Sequence, residues 1–338
     1  MVYSYPQNSL YVVQRKGFSM KCYLGIDSGG TKTKFLLVDE NGHKLAESNQ
    51  SASHYLQVGY DGLKSVMQAG LQDCLNQSAC TKESIHHIFA SVAGYGDIED
   101  DSEHIIQAVN EVFYPIQTTI GNDVENAYAG GLVDKTGIVL IAGTGSIGLG
   151  LDNDGNSLRC GGWHHIFGGD EGSGYWIGCK LIQEFTMQSD GRSNKTQLYS
   201  HIKTKFNFVN DSDILKLTVV DWDFDRTKVA ALSREISELA HQNDPASLRI
   251  LNEAAVELSR IIIAIKNQLN FSSTVLASYQ GGVFKSGDPV LIPLKEILIK
   301  HNIELIPPFS SPDIGSVILA FKYAHTPLTE TILRNLKG

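Results

Sequence analysis

Leu24-Gly25-Ile26-Asp27-Ser28-Gly29-Gly30-Thr31-Lys32-Thr33 and, about a domain further on, Ile138-Val139-Leu140-Ile141-Ala142-Gly143-Thr144-Gly145-Ser146 place a glycine turn in the same setting twice. An apolar run precedes each turn. Phe35-Leu36-Leu37-Val38 follows the first, and Ile147-Gly148-Leu149-Gly150-Leu151 follows the second. Each reads as strand, tight turn, strand. A turn without Cβ atoms lets backbone N–H groups approach an anion, and hydroxyls beside the glycines add donors. Two such turns facing each other would hold the tail of a nucleotide between two domains. Either turn alone reads equally well as an ordinary β-turn. Neither is a Walker A loop, which ends in Gly-Lys-Ser/Thr and opens a helix, and neither is a G-x-G-x-x-G fingerprint. The pair and its flanking elements carry the reading.

Outward from the first turn, Asp39-Glu40-Asn41-Gly42 closes a hairpin and Lys44-Leu45-Ala46 opens a third strand. Helical spacing follows over 60–78, a buried strand over Ile85 to Ala93, a helix over Glu103 to Phe113 and a strand over Ile116 to Ile120. The order is βββ-α-β-α-β. It restarts at the second turn, with a third strand at Ser157 to Cys160. Helices are expected at 173–187, 195–206, 227–242 and 246–270, and strands at Thr274 to Ser278 and Ile303 to Ile306. A terminal helix from Asp313 would pack back on the first half. The expected domains are an N-terminal extension at 1–20, a first domain at 21–134 completed by a helix at 313–330, and a second at 135–312.

Bulk properties exclude several classes. The 338 residues suit about two domains. A net charge of −9, from 28 basic and 37 acidic side chains without a dense Lys/Arg cluster, argues against a nucleic-acid partner. Cys22, Cys74, Cys80, Cys160 and Cys179 are odd in number and show no C-x-x-C spacing. That disfavours a disulfide framework, a zinc ribbon and a cysteine-held cluster, and fits a reducing, cytoplasmic setting. Ile261 to Ile265, the strongest apolar run in a helical context, is too short to span a bilayer, so no membrane partner is expected. The first residues lack a signal-peptide apolar region and include Gln14, Arg15 and Lys16.

Four further places carry chemistry. Asp123, in Gly121-Asn122-Asp123-Val124, stands where a strand ends and a helix begins. It reads either as a helix cap or as a general base accepting the proton of an attacking hydroxyl. Asp27 reads as a turn residue or as a magnesium ligand acting through water. Lys32 reads as an exposed hairpin lysine or as a partner of phosphate charge. Gly161-Gly162-Trp163-His164-His165-Ile166-Phe167-Gly168-Gly169-Asp170-Glu171-Gly172-Ser173-Gly174-Tyr175-Trp176 is rich enough in glycine to wrap a small polar ligand, with Asp170 accepting from hydroxyls. The alternative is a simple helix start. His164-His165 is a weak metal pair, because adjacent side chains diverge. Tyr279-Gln280-Gly281-Gly282-Val283-Phe284-Lys285 follows a strand, and a Gly-Gly turn there can lie flat against a purine.

Taken together, these motifs resemble the BadF/BadG/BcrA/BcrD ATPase family, and within it the N-acetylglucosamine kinase type, over about residues 21 to 325. The resemblance implies an α/β fold of the sugar kinase, heat-shock and actin superfamily: two actin-like (ribonuclease H-like) domains, each βββαβ(αβ)α, with a nucleotide cleft between them. It implies an ATP- and Mg²⁺-dependent kinase acting on the 6-hydroxyl of an amino sugar such as N-acetylglucosamine, glucosamine or N-acetylmuramic acid. Gly29, Gly30, Thr31, Lys32 and Thr33, with Gly143, Thr144, Gly145 and Ser146, match the phosphate loops. Gly281, Gly282 and Lys285 match the adenosine motif, and Asp123 matches the catalytic base. His54, Asn122, Asp123, Gly161, Gly162, Trp163 and Asp170 fall at sugar-contacting positions, Asp27 at the magnesium position. A homodimer is implied as well. Two departures fall on the sugar side. His54 stands where the family often has Asn, and one extra residue separates Trp163 from Asp170. The alternative function is an ATP-binding activator or regulator that phosphorylates no sugar. An activator would carry cysteine-held clusters, for which this chain lacks suitable pairs.

Overall fold

The computed structural model describes residues 20–29, 32–96, 98–133 and 135–338. The expected 1–20 extension lies almost wholly outside these residues, as do Gly30 and Thr31. The first sheet contains β1 (Cys22–Ser28), β2 (Lys32–Asp39), β3 (Lys44–Ser51), β4 (Ile85–Ser91) and β5 (Thr118–Gly121) in the order β3-β2-β1-β4-β5. The second contains β6 (Gly137–Ala142), β7 (Ser146–Leu151), β8 (Ser157–Gly161), β9 (Val275–Gln280) and β10 (Ile303–Leu305) in the order β10-β9-β6-β7-β8. In both, the first three strands pair antiparallel and the last two join parallel. The two sheets are therefore one topology repeated, without a visible sequence repeat.

The helices are α1 (Tyr55–Gln77), α2 (Glu99–Phe113), α3 (Asp123–Leu132), α4 (Gly174–Ser189), α5 (Gln197–Lys205), the short turn α6 (Asp213–Leu215), α7 (Arg226–Ala231), α8 (Ser233–His241), α9 (Pro245–Gln268), α10 (Asp288–Ile299), α11 (Pro312–Tyr323) and α12 (Glu330–Lys337). Two helical stretches and one strand differ from the pattern reading. α1 starts at Tyr55, earlier than its apolar spacing, and is kinked at Gly59, whose φ of 70° no helix accommodates. The single helix expected over 227–242 is two, α7 and α8, meeting at Leu232. The strand expected over Ile116 to Ile120 runs from Thr118 to Gly121.

Helices cover both faces of the first sheet, which explains why β1 is apolar almost continuously rather than in alternation. Leu24, Ile26, Phe35 and Leu37 pack against α1 and α2 through Leu63, Met67, Val109 and Phe113. On the other face, Tyr23, Leu36 and Phe89 meet Val317, Ile318 and Phe321 of α11. Tyr23 stacks on Phe321 at 3.9 Å between centroids. Burying Phe321 completely is worth roughly 2–3 kcal/mol. α11 also lies directly on α3. A Cβ on Gly315 would fall 1.9 Å from the Asn126 carbonyl oxygen. Only glycine lets these two backbones approach so closely.

Candidate active site

The first expected phosphate turn lies between β1 and β2. Gly29 N–H donates to the Lys32 carbonyl at 2.9 Å, so the turn is tight. Beneath it lies a buried layer of hydroxyls. Ser53 Oγ is 2.6 Å from Ser28 Oγ and 2.7 Å from Thr33 Oγ1, and Thr33 Oγ1 donates to the Ser51 carbonyl. Thr33, expected among the phosphate contacts, is fully buried. Its place on the pleat turns its hydroxyl inward, where it supports the turn. Lys32 is exposed.

Asp27 is the last residue but one of β1. Asn126 Nδ2 donates to Asp27 Oδ1 at 2.7 Å. Burial pushes the Asp27 carboxyl above the usual carboxylate range, and Asp313 nearby adds to this; the Asn126 bond, Lys32 and Lys34 pull it down. Lys34 itself pairs with Asp313 at 2.8 Å.

Asp123 is the first residue of α3, and the two readings of it separate here. Asn122 is the N-cap: its Oδ1 accepts from Val124 N at 3.0 Å, and its own N–H donates to Glu125 Oε1 at 3.0 Å, a complete capping box. The cap is therefore made without the Asp123 carboxylate. The Asn122 amide also donates to the Tyr95 carbonyl at 2.6 Å. Expected at a sugar-contacting position, Asn122 spends its side chain on the cap and on Tyr95.

The second turn is stitched to the start of α4. Gly143 N–H donates to the Gly145 carbonyl, Gly174 N–H to the Gly143 carbonyl at 2.8 Å, and Tyr175 N–H to the Thr144 carbonyl at 3.2 Å. Ser173 caps α4 by accepting from Trp176 N. Ser146 Oγ donates to the Glu171 carbonyl and Ser146 N–H to Asp170 Oδ1 at 3.1 Å. Asp170 is buried, and its other oxygen is paired with Arg226. Expected at the sugar, Asp170 has both oxygens engaged in holding the second turn, and Ser146 is likewise buried support. Asp170→Ala should weaken binding of a non-hydrolysable ATP analogue about ten-fold, as expected for losing a charge-assisted bond of about 1.5 kcal/mol. Calorimetric titration checks this, and unchanged affinity would remove the support role.

A cavity of about 490 Å³ opens beside this turn. It is lined by Gly143 and Thr144, by Gly282 and Lys285, and by Thr227, Ala230, Arg234 and Ser237 of α7 and α8. Gly281 adopts φ 111°, and a Cβ there would sit 2.4 Å from the Ala142 carbonyl oxygen. That close approach seats the Gly-Gly turn on the end of β6, next to the second loop. Motifs well over a hundred residues apart thus face one space. The α7–α8 wall escaped the sequence reading. Its signal was small and polar residues recurring at helical spacing, which also describes any exposed helix face.

On the sugar-expected side, Gly161 and Gly162 carry φ of 81° and 72° at the end of β8, and Gly162 N–H donates to the Gly169 carbonyl. Trp163 is 80% exposed. His54 caps α1, its Nδ1 accepting from Leu56 N at 3.3 Å. His164 Nδ1 accepts from Ile166 N, and His165 meets Tyr175 edge to face at 4.7 Å. Among the described residues, the one group of His, Cys, Asp and Glu close enough to share a metal is His201, Glu235 and Glu238, away from this pair; Lys205 already pairs with Glu235 at 3.0 Å.

Two five-stranded sheets of one repeated topology, with the second glycine turn lining a cavity, define an actin-like α/β fold. The chain belongs to the BadF/BadG/BcrA/BcrD ATPase family, whose model matches residues 24–320. It is 30% identical over 304 residues to the N-acetylmuramic acid/N-acetylglucosamine kinase of Clostridium acetobutylicum, covering 89% of this chain and 98% of that one. It is also 30% identical over 320 residues to the N-acetyl-D-glucosamine kinase of Dictyostelium discoideum, with the same coverages of 89% and 98%. Among solved structures, a ROK family glucokinase from Streptomyces griseus in complex with glucose and AMPPNP shares the fold at a TM-score of 0.59 and 18% identity, covering 89% of this chain and 99% of that one.

Proposed function

We propose that this chain is an ATP-dependent kinase that transfers the γ-phosphoryl group to the 6-hydroxyl of an amino sugar, N-acetylglucosamine or a close relative. The observation that carries the reading is the single cavity shared by the second glycine turn and the Gly282–Lys285 motif, in a chain whose full-length relatives are amino-sugar kinases. Adenosine lies against Gly281 and Gly282, and the phosphates run between the two turns. Asp123, at a helix N-terminus capped by its neighbour, accepts the proton of the attacking hydroxyl. Backbone N–H groups of the turns meet the developing phosphate charge. The two domains, 21–134 with the C-terminal helix and 135–312, close on the substrates and exclude water.

The residues present fit a magnesium ion: Asp27 is a half-buried carboxylate at the first turn with one oxygen already oriented by Asn126. Mg²⁺ bound through water by Asp27 would neutralise phosphate charge. Among the described residues no helix is long and apolar enough to cross a membrane.

The test is ADP release with Mg²⁺-ATP across N-acetylglucosamine, glucosamine, N-acetylmuramic acid, N-acetylmannosamine and glucose. One of the amino sugars should stimulate turnover well above the sugar-free rate, with the 6-phosphate as product. Nucleotide binding without stimulation by any sugar would favour the regulator instead.

A further inference from the structure

The buried amide that bonds Asp27 beneath the first turn joins several elements at once. Asn126 is completely buried in α3, three residues beyond Asp123. Its Nδ2 lies 2.7 Å from Asp27 Oδ1, 3.1 Å from Ser91 Oγ and 3.1 Å from Ser316 Oγ. The contacts reach β1, β4 and α11 from α3. Both serines lead back to the end of β1: Ser91 Oγ accepts from Ser28 N–H at 3.1 Å, and Ser316 Oγ donates to the Ile26 carbonyl at 3.0 Å.

The orientation of this amide has a physical reason. A carboxylate is an acceptor, so the nitrogen must face Asp27, and a charge-assisted bond is the stronger one. That leaves Asn126 Oδ1 buried without a hydrogen-bond partner. An orphaned buried acceptor costs roughly 1–3 kcal/mol. Leucine, of similar shape, would avoid this cost and lose the hold on Asp27 together with the weaker contacts to Ser91 and Ser316. The arrangement makes sense where the position of the Asp27 carboxylate matters more than core stability.

We propose that Asn126 is a positioning residue for magnesium-dependent phosphoryl transfer, an inference that rests on the kinase reading of this site. By taking Oδ1 it presents the other oxygen of Asp27 toward the metal and phosphates. Because Asn126 lies on the helix that begins with Asp123, it also ties the metal carboxylate and the base into one rigid unit.

The experiment measures Mn²⁺ affinity by electron paramagnetic resonance in the presence of ADP, for the full chain and for Asn126→Leu and Asn126→Ala. Metal affinity should fall about ten-fold or more, the usual loss when an outer-shell partner of a ligand is removed. ADP binding without metal and KM for the sugar should stay unchanged while kcat falls. Ser316→Ala, which leaves the bond to Asp27 in place, should keep wild-type metal affinity. A folded Asn126→Leu that binds Mn²⁺ like wild type overturns the proposal. So does an equal loss of metal-free ADP binding, or failure of both variants to fold, since each makes the amide purely structural. Failure of the kinase reading looks different: wild type would show no sugar-dependent turnover at all.

Discussion

Asp123→Asn should lower kcat for sugar phosphorylation by about 10³-fold, within the range for loss of a general base. At 1.36 kcal/mol per decade this is about 4 kcal/mol of transition-state stabilisation. The substitution is nearly isosteric. Asn122 and Glu125 still close the capping box, so α3 still begins in the same place. The nucleotide cavity is lined from other elements, so affinity for a non-hydrolysable ATP analogue should hold. An ADP-release assay paired with calorimetric titration separates the two quantities. A kcat within ten-fold of wild type would deny Asp123 its role as base. Parallel loss of kcat and nucleotide affinity would make it a structural residue.

Gly315→Val should be the most damaging single change to stability. The first added atom would lie 1.9 Å from the Asn126 carbonyl oxygen and 2.6 Å from Gly130 N, both backbone atoms within a helix. Neither can yield as a flexible side-chain tip can, so α11 must move away from α3. Such overpacking costs about 3 kcal/mol or more, and the melting temperature should fall by roughly 5–10 °C. Displacing α11 also disturbs Ser316 and, through it, Asn126 and the end of β1. Thermal unfolding followed by circular dichroism checks this, and an unchanged melting temperature would show that the helices can part freely.

What the chain discloses locally and what it does not can be separated by residue. The two glycine turns, the hairpins around them and the order of strands follow from period-two apolar patterning and turn chemistry, and the fold was legible from these. Asp27 and Asp123 were legible as residues at strand ends, where side chains enter a cleft. The roles of Thr33, Ser146 and Asp170 were not, because each depends on a partner remote in sequence. Nothing near Asp170 announces Arg226, which lies 56 residues on and reaches it only once α7 has packed. Asn126 reads as an unremarkable polar residue early in a helix until three other elements surround it. Position along the chain thus marks the turns and strand ends; packing decides which side chains there bond to remote partners.

The seating of the C-terminal helices sets an order of assembly for the chain as it is made. The second sheet has all its strands between Gly137 and Leu305, so its parts are on hand before α11 has been synthesised. The first sheet emerges earlier, yet the face bearing Tyr23, Leu36 and Phe89 waits for Val317, Ile318 and Phe321. The Tyr23 hydroxyl finds Thr326 Oγ1, at 2.9 Å, only after some three hundred further residues have been made. Domains usually mature from the N-terminus onward. Here the half that starts first is completed after the second, and its apolar face stays open to chaperones or aggregation until α11 has been made. A message cut short before the codon for Pro312 would spare every residue assigned to the reaction and still leave that face bare.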